Sequence, residues 1–254
     1  MGKFFNIRLR PDIVNGDISP VIANDKTDNP FANNDVLFDW HKFEIPATCR
    51  LVGVTAVVNG EDGVTQGTAR DMEIIFAKAI NGVAPTTIGN VNATATSLNI
   101  QNHVIGGLTI DKDNGAFGTD SCAIFSTAVG SADGGHAAIV LDAEPTPAGV
   151  QEIYIAGIIK GSVDFSTGVL STEAIDASSA EKATIAVDTV DARLVFSPGD
   201  KVYVHDVDTQ IPGTVKTVAQ NLLTFDTTNS TVDVANNDEI INATPIKFTL
   251  HCEL

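Results

Sequence analysis

Hydrophobic and polar residues alternate along most of the chain, the pattern of β-strands that bury one face. The final stretch, "IKFTLHCEL" (246–254), alternates without interruption, with Phe248, Leu250 and Cys252 on its apolar side. A strand there needs a partner for its backbone groups, so we expect it to pair with the first strand, around Phe5 and Ile7. Comparable patterns predict further strands at 3–9, 37–46, 120–130 and 136–144, and a strand followed by a turn at 49–63 and at 103–118.

Three segments need individual interpretation. Residues 69–80 fit both a helical stripe and an alternating strand, and the short length and β-rich surroundings favour a strand. Residues 151–161 are apolar on both faces, which predicts a central strand or a strand covered by a partner. Residues 171–188 are rich in Ala and begin with Ser and Thr, so they are the best helix candidate.

The spacing of strands and turns changes in the last quarter of the chain. Residues 193–244 contain several short strands between turns, which predicts a small closed or nearly closed barrel. We therefore predict an all-β protein with a β-sandwich or jelly-roll-like core domain and an inserted SH3-like β-barrel. The core domain is expected to comprise residues 1–192 and 245–254, and to carry an extended N-terminal arm. Two long polar segments, 11–35 and 81–102, are expected to lie as arms over neighbouring subunits.

Charge excludes several classes of partner. The 254 residues carry a formal net charge of -17, and the 15 basic residues form no cluster. Binding to nucleic acid needs clustered cations, and anionic membranes also repel an acidic surface, so neither partner is expected. The N-terminus has no export signal, and no apolar run approaches the roughly 20 residues of a membrane helix. We therefore expect synthesis in a cytoplasm without classical export.

Asp111 and Asp113 form the nearest approach to a metal-binding motif. An EF-type calcium loop starting at Asp111 would need Gly at its sixth position and an acid at its twelfth, where this chain has Ala116 and Cys122. An Asn-Gly hairpin turn with solvated carboxylates is the favoured interpretation. A weak Ca²⁺ or Mg²⁺ site between chains remains an alternative.

No other residue pattern indicates chemistry. The cysteines Cys49, Cys122 and Cys252 are odd in number and far apart, so we interpret them as buried hydrophobic residues instead of disulfide or zinc ligands. The histidines are scattered, and no nucleophile elbow, phosphate-binding loop or dinucleotide fingerprint occurs. We predict no catalytic, cofactor-binding or metal-ligating residues and no enzymatic activity.

Three stretches carry a resemblance to a known class of protein. They are "DMEIIFAKAINGVAPTTIGNVNA", "EIYIAGIIKGSVDFSTG" and "FSPGDKVYVHDVDTQIPGTVKTV". In texture they resemble β-rich virion structural proteins of tailed bacteriophages, particularly capsid decoration or cement proteins. The resemblance implies a particle component, often a trimer, that clamps the major capsid protein from outside, and it carries over no functional residue. The long spine helix of a major capsid protein has no counterpart here.

The resemblance and the residue pattern lead to the same expectation. We expect a non-enzymatic, homo-oligomeric virion protein, with a trimer favoured, that binds the major capsid protein or other virion proteins and no cofactor. One alternative is a structural role in the tail, neck or baseplate. Another is a host-surface or glycan-binding module that uses the barrel.

Overall fold

Antiparallel β-strands form almost all of the regular structure in the computed structural model. The structure describes residues 2–13, 31–59, 71–96, 100–119, 122–129, 138–163, 165, 169–172, 184–188, 190–204, 209–226 and 234–254. The elements are β1 (Phe4–Leu9), β2 (Val36–Ile45), β3 (Cys49–Asn59), β4 (Asp71–Lys78), β5 (Val104–Ile110), a 3₁₀ turn (Lys112–Asn114), β6 (Gly115–Thr119), β7 (Cys122–Ala128), β8 (Ile139–Leu141), β9 (Gln151–Lys160), β10 (Val169–Ser171), β11 (Thr184–Asp188), α1 (Ala192–Val195), β12 (Lys201–Val204), β13 (Thr209–Ala219), β14 (Leu222–Phe225), β15 (Glu239–Asn242) and β16 (Ile246–Glu253). The predicted all-β class is confirmed.

The first sheet places the last strand between the first and third strands. Its order is β1-β16-β3-β7-β6, and β8 pairs with the beginning of β3. Residues Phe4 to Leu9 pair with β16 from Glu253 back to Phe248, and β3 pairs with the other edge of β16. The predicted return of 246–254 to the N-terminal strand is therefore confirmed. The alternation determines which side faces inward, because Phe248, Leu250 and Cys252 are all buried.

The second sheet has the order β2-β9-β4-β5. Strand β9 lies between β2 and β4, which confirms the central position predicted from its two apolar faces. The ambiguous segment 69–80 forms β4 over residues 71–78, so the predicted strand is also confirmed. Part of the outer face of β9 is covered by a satellite cluster in which Val36, Ile88 and Ala156 are buried and Trp40 is partly buried.

A shared core joins the two sheets into a sandwich. Phe38 from the second sheet meets Phe248 from the first, with ring centroids 5.6 Å apart. Gly157, opposite Phe38 on the neighbouring strand, gives this ring its space, because a Cβ atom at Gly157 would lie 2.4 Å from Phe38 Cε1. Glycine is therefore required at position 157 because of aromatic packing between strands, and not because of a turn.

The barrel closes with six strands in the order β10-β11-β14-β13-β12-β15. Two of these strands precede residue 193, so the predicted segment 193–244 contains only four of the six and the barrel strands run from Val169 to Asn242. The predicted helix over 171–188 is wrong at both ends, where β10 and β11 lie. Ile185 and Val187 are buried on one face of β11, and pairing with β14 overrides the helix propensity of the Ala-rich stretch. Residues 173–183 lie outside the described residues.

At the level of two packed sheets and a closed barrel, the predicted architecture is confirmed. The jelly-roll-like and SH3-like descriptions remain predictions. The barrel has a core of its own, to which α1 contributes Ala192 and Val195. Tyr203 and Ile241 of the barrel instead belong to the core cluster of the sandwich, so the two units share a packed junction.

The expected arms lie on this chain wherever the structure describes them. Ile13 is fully buried, and its backbone N–H donates to the Ala243 carbonyl oxygen. Phe31 forms two backbone hydrogen bonds with Val163, and residues 14–30 lie outside the described residues. The segment 81–96 follows the second sheet, where Val36 exchanges hydrogen bonds with its backbone. These contacts are intramolecular, and the expected reach over neighbouring subunits remains a prediction.

Candidate interaction surface

The outer face of the first sheet has a charge balance opposite to that of the whole chain. Its strands contain three cations, Arg8, Arg50 and Lys247, and a single acid, Glu253. The chain as a whole carries 32 acidic and 15 basic residues. The acidic strand residues of the sandwich are otherwise concentrated in the second sheet. The first sheet is therefore a locally cationic surface on an acidic protein.

A row of hydrogen-bonded polar side chains crosses four strands of this face. Asn6 Oδ1 lies 3.0 Å from His251 Nδ1, His251 Nε2 lies 3.0 Å from Thr55 Oγ1, and Thr55 Oγ1 lies 3.1 Å from Ser126 Oγ. The amide oxygen of Asn6 can only accept, so Nδ1 of His251 donates the hydrogen bond to it. These bonds hold β1, β16, β3 and β7 in register through their side chains as well as their backbones.

Arg8 and Arg50 flank this row and are exposed. Among the described residues, neither guanidinium has a carboxylate within ion-pair distance, whereas Arg10, Lys42 and Lys160 each have one. Cations that have no intramolecular partner can bind carboxylates of another molecule with little loss of existing contacts. Arg is well suited to this role because its guanidinium binds a carboxylate with two parallel hydrogen bonds.

Apolar side chains mark the edge of the face that is remote from the barrel. Phe4, Glu253, Arg50 and Val140 occupy successive strands at paired positions. Phe4 is 71% exposed and Val140 is 50% exposed, large values for residues of these types. A polar face that has at its margin an exposed aromatic residue, and an arginine without an ion-pair partner among the described residues, has the composition of a protein-binding surface.

A buried polar cluster fixes the barrel against the opposite end of the same sheet. The carboxylate of Asp200 is fully buried, and it accepts hydrogen bonds from Arg10 Nη1 at 2.8 Å and Lys247 Nζ at 3.2 Å. It also accepts from Asn242 Nδ2 at 3.0 Å and from the backbone N–H of Ser197 at 2.9 Å. These partners come from both ends of the chain and from the barrel, so the cluster connects the barrel to the first sheet.

Asp111 and Asp113 lie in a turn and form no metal site with other described residues. Asp111 Oδ1 accepts a hydrogen bond from the backbone N–H of Asp113 at 2.8 Å, and Asp113 pairs with Lys112. The predicted turn is confirmed, but it connects β5 of the second sheet to β6 of the first sheet and is not the hairpin that was expected. In the described part of the chain, no group of three or more His, Cys, Asp or Glu residues could hold a metal ion.

The three cysteines, His41 and His251 occupy buried or strand positions. Cys49 and Cys252 are buried, as expected, while the side chain of Cys122 lies outside the described set. Burial lowers the pKa of His41, with a smaller contribution from the positive charge of Lys201. His251 lies on the polar side of its strand, as predicted, and His136 and His205 lie outside the described residues.

Sequence reasoning did not single out Arg8 and Arg50. The sequence pattern does place each arginine on the polar side of its strand, next to an apolar residue that faces inward. Combining those polar sides required the pairing of β1, β16 and β3, which links residues near both ends of the chain.

Comparison of the chain with known proteins found no similar protein. No protein-family model, curated protein or solved structure matches the chain. Within the described ranges, no helix has the length and apolar character needed to cross a membrane.

Proposed function

We propose that the protein is a non-enzymatic virion structural protein, and specifically a capsid decoration or cement protein that stabilises the shell from outside. It would act as a homo-oligomer, with a trimer favoured, and bind the major capsid protein in the virion. The observation that carries the proposal is the open outer face of the first sheet, where Arg8 and Arg50 have no described ion-pair partner.

Charge provides the physical basis. A net charge of -17 disfavours contact with packaged nucleic acid, so an exterior position is electrostatically preferable to an interior one. The locally cationic face then gives the chain one surface that can approach acidic protein without repulsion. The resemblance in texture to decoration proteins supports the same role.

The architecture suits a component that has to resist deformation. The face is the outer side of a sandwich whose inner side is packed against a second sheet, and the barrel is fastened to it through buried Asp200. Binding through such a preorganised surface avoids most of the entropy loss that a flexible surface would incur.

The test is association with particles of the virus that encodes the chain. Wild-type protein is expected to co-sediment with intact particles, and an Arg8→Glu/Arg50→Glu variant is expected to lose at least about tenfold in apparent affinity, since two charge contacts would become repulsive. A Lys78→Glu/Lys216→Glu variant has the same change in net charge outside the first sheet and should bind like wild type. Equal binding by all three proteins would reject this face as the contact.

Imaging and native mass measurement separate the remaining roles. Density on the outer shell and a trimeric mass would support decoration. Density restricted to the tail, neck or baseplate, with a ring of about six or twelve subunits, would reject it in favour of another assembly role. Absence from particles together with glycan binding by the protein would favour the recognition module.

A further inference from the structure

Cys49 and Cys252 are diagonal neighbours on the adjacent strands β3 and β16. Cys252 is paired with Leu51 of β3, and Cys49 is two residues from Leu51 on the same inward-facing side. Both side chains are buried, with 3% and 1% of their surface exposed, and each thiol is near enough to the other to shift its pKa. Both cysteines are in the free thiol form. Two thiols in contact across adjacent strands differ from the isolated buried cysteines that the sequence suggested.

We propose that Cys49 and Cys252 are a disulfide-forming pair, which a low-molecular-weight disulfide such as oxidised glutathione converts into a covalent link between β3 and β16. The strands already hold the two side chains in contact, so cross-linking needs a local adjustment and no change of register. This inference is independent of the proposed virion role, because it depends only on the two strands and the oxidant.

The chemistry balances through two thiol–disulfide exchanges. The thiolate of Cys49 attacks one sulfur of the reagent disulfide, forms a mixed disulfide and releases one reagent thiolate. Cys252 then loses its proton and attacks Sγ of Cys49, which releases the second reagent thiolate. Two protein thiols are oxidised and one reagent disulfide is reduced to two thiols.

The environments of the two thiols indicate which of them attacks the reagent disulfide first. Interaction with the Cys252 thiol lowers the pKa of Cys49, whereas interaction with Cys49 together with burial raises the pKa of Cys252. Cys49 is therefore the thiol that more readily becomes the attacking thiolate. Cys252 becomes the resolving thiol once Cys49 has been converted into the mixed disulfide.

Access to the pair is through the end of the sheet. Cys49 is the first residue of β3 and Cys252 is one residue from the end of β16. The neighbouring Leu254 is 48% exposed. Opening of a strand end costs less free energy than global unfolding, so the reagent can reach the pair in the folded protein. We expect oxidation over minutes to hours and not within seconds.

The test counts thiols in folded, full-length protein before and after incubation with oxidised glutathione. Samples are unfolded in the presence of a maleimide, and their intact mass and cross-linked peptides are measured. The reduced chain has three cysteines. We expect two of them to become unreactive, so that the oxidised chain takes up one maleimide instead of three and its mass, apart from the labels, is lower by two hydrogen atoms. A peptide pair containing Cys49 and Cys252 should also appear. The cross-link should raise the melting temperature, and a reducing agent should reverse that shift.

Two variants make the result specific. A Cys122→Ser variant should form the same cross-link and lose both of its remaining thiols. A Cys252→Ala variant should form no intramolecular cross-link and should retain one glutathionyl group on Cys49, the trapped mixed disulfide. Circular dichroism confirms that each variant is folded before oxidation.

Three outcomes would overturn the proposal. In the first, the folded wild-type chain keeps all its thiols under conditions in which the urea-unfolded chain loses them. In the second, the peptide map shows a bond that involves Cys122. In the third, oxidation produces only disulfides between chains on a non-reducing gel.

Discussion

Arg10 donates a hydrogen bond of 2.8 Å from Nη1 to the buried carboxylate of Asp200, which lies 190 residues further along the chain. Lys247 of the last strand donates to the same carboxylate. Asp200 belongs to the turn that begins the barrel strand β12, so one side chain connects the N-terminal strand, the C-terminal strand and the barrel. Its geometry depends on all three parts being assembled.

Replacing Asp200 with Asn should destabilise the protein strongly. The change leaves Arg10 and Lys247, which are 37% and 20% exposed, without their shared negative partner, and losing hydrogen bonds to a buried group of this kind typically costs about 1–3 kcal/mol. Urea denaturation should show this loss as a lower midpoint. The matched change Asp113→Asn removes an ion pair of a carboxylate that is 76% exposed, and it should alter stability by less than about 1 kcal/mol. Equal effects at the two positions would contradict a special role for Asp200.

Truncation of Leu250 tests the alternation of the last strand. Leu250 is fully buried between the two sheets, so Leu250→Ala should cost about 2–5 kcal/mol of unfolding free energy by removing apolar contacts and leaving a cavity. Thr249, the preceding residue, lies on the outer face and is partly exposed. Thr249→Ala should change stability by well under half of that amount. Chemical denaturation of both variants measures the difference, and a reversed order would mean that β16 has the opposite orientation.

A methyl group at Gly157 should be poorly tolerated. The Cβ atom of alanine would lie 2.4 Å from Phe38 Cε1 and 2.8 Å from Cζ, and the ring is fixed between the sheets against Phe248. Gly157→Ala should therefore destabilise the fold by about 1–3 kcal/mol, the usual cost of overpacking. Thermal or chemical denaturation gives the value.

Phe38, the residue that the new methyl group would meet, provides the control. Phe38→Leu alone should also be destabilising, because it replaces a buried aromatic ring with a smaller side chain. In combination with Gly157→Ala, the loss should be smaller than the sum of the two single losses, since leucine has no atoms at the ring positions that meet the new methyl group. Strict additivity in the double-mutant cycle would show that the cost at Gly157 has another origin.

His41 should make the fold less stable in mild acid. Burial and nearby Lys201 lower the pKa of His41 from its ordinary value of 6.5, so the folded protein prefers the neutral ring. The unfolded chain binds the proton more readily, and stability contributed by neutral His41 is present above pH 6.5 and is lost as the pH falls below it. Asp12, which pairs with Lys201, opposes part of this shift.

Denaturation at several pH values tests the role of His41. Between about pH 7.5 and 5, the unfolding free energy of wild type should fall more steeply than that of a His41→Gln variant, which cannot titrate. Parallel curves for the two proteins would assign the acid sensitivity to other groups.

Alternation determined most of the sandwich, because one face of each strand is buried and the other is not. Thus β16 and the ambiguous β4 could be assigned from sequence, and the central position of β9 could be predicted from its two apolar faces. The start of the barrel could not. The short strands β10 (Val169–Ser171) and β11 (Thr184–Asp188) are stabilised by partners about 35–70 residues away, and local propensity does not report such pairing.

The candidate surface was less accessible to sequence reasoning than the fold. Arg8, Arg50 and His251 are separated along the chain by the sandwich and the barrel, and only the pairing of β1, β16 and β3 brings them onto one face. The thiol pair was missed for the same reason. Composition alone suggested three unrelated cysteines, whereas antiparallel pairing brings two of them into contact.

Pairing between the first and last strands also determines how the molecule would respond to mechanical force. Phe4 is paired with Glu253 at the end of the ladder where both chain ends leave the sheet. Tension applied between those ends would separate the hydrogen-bonded pairs one after another, the weak unzipping direction of a sheet. Tension applied along the strands, between the barrel and the Phe4 edge, would instead load all rungs at once. The sandwich is therefore mechanically anisotropic, and a shell subunit of this fold would resist stretching best along its strands.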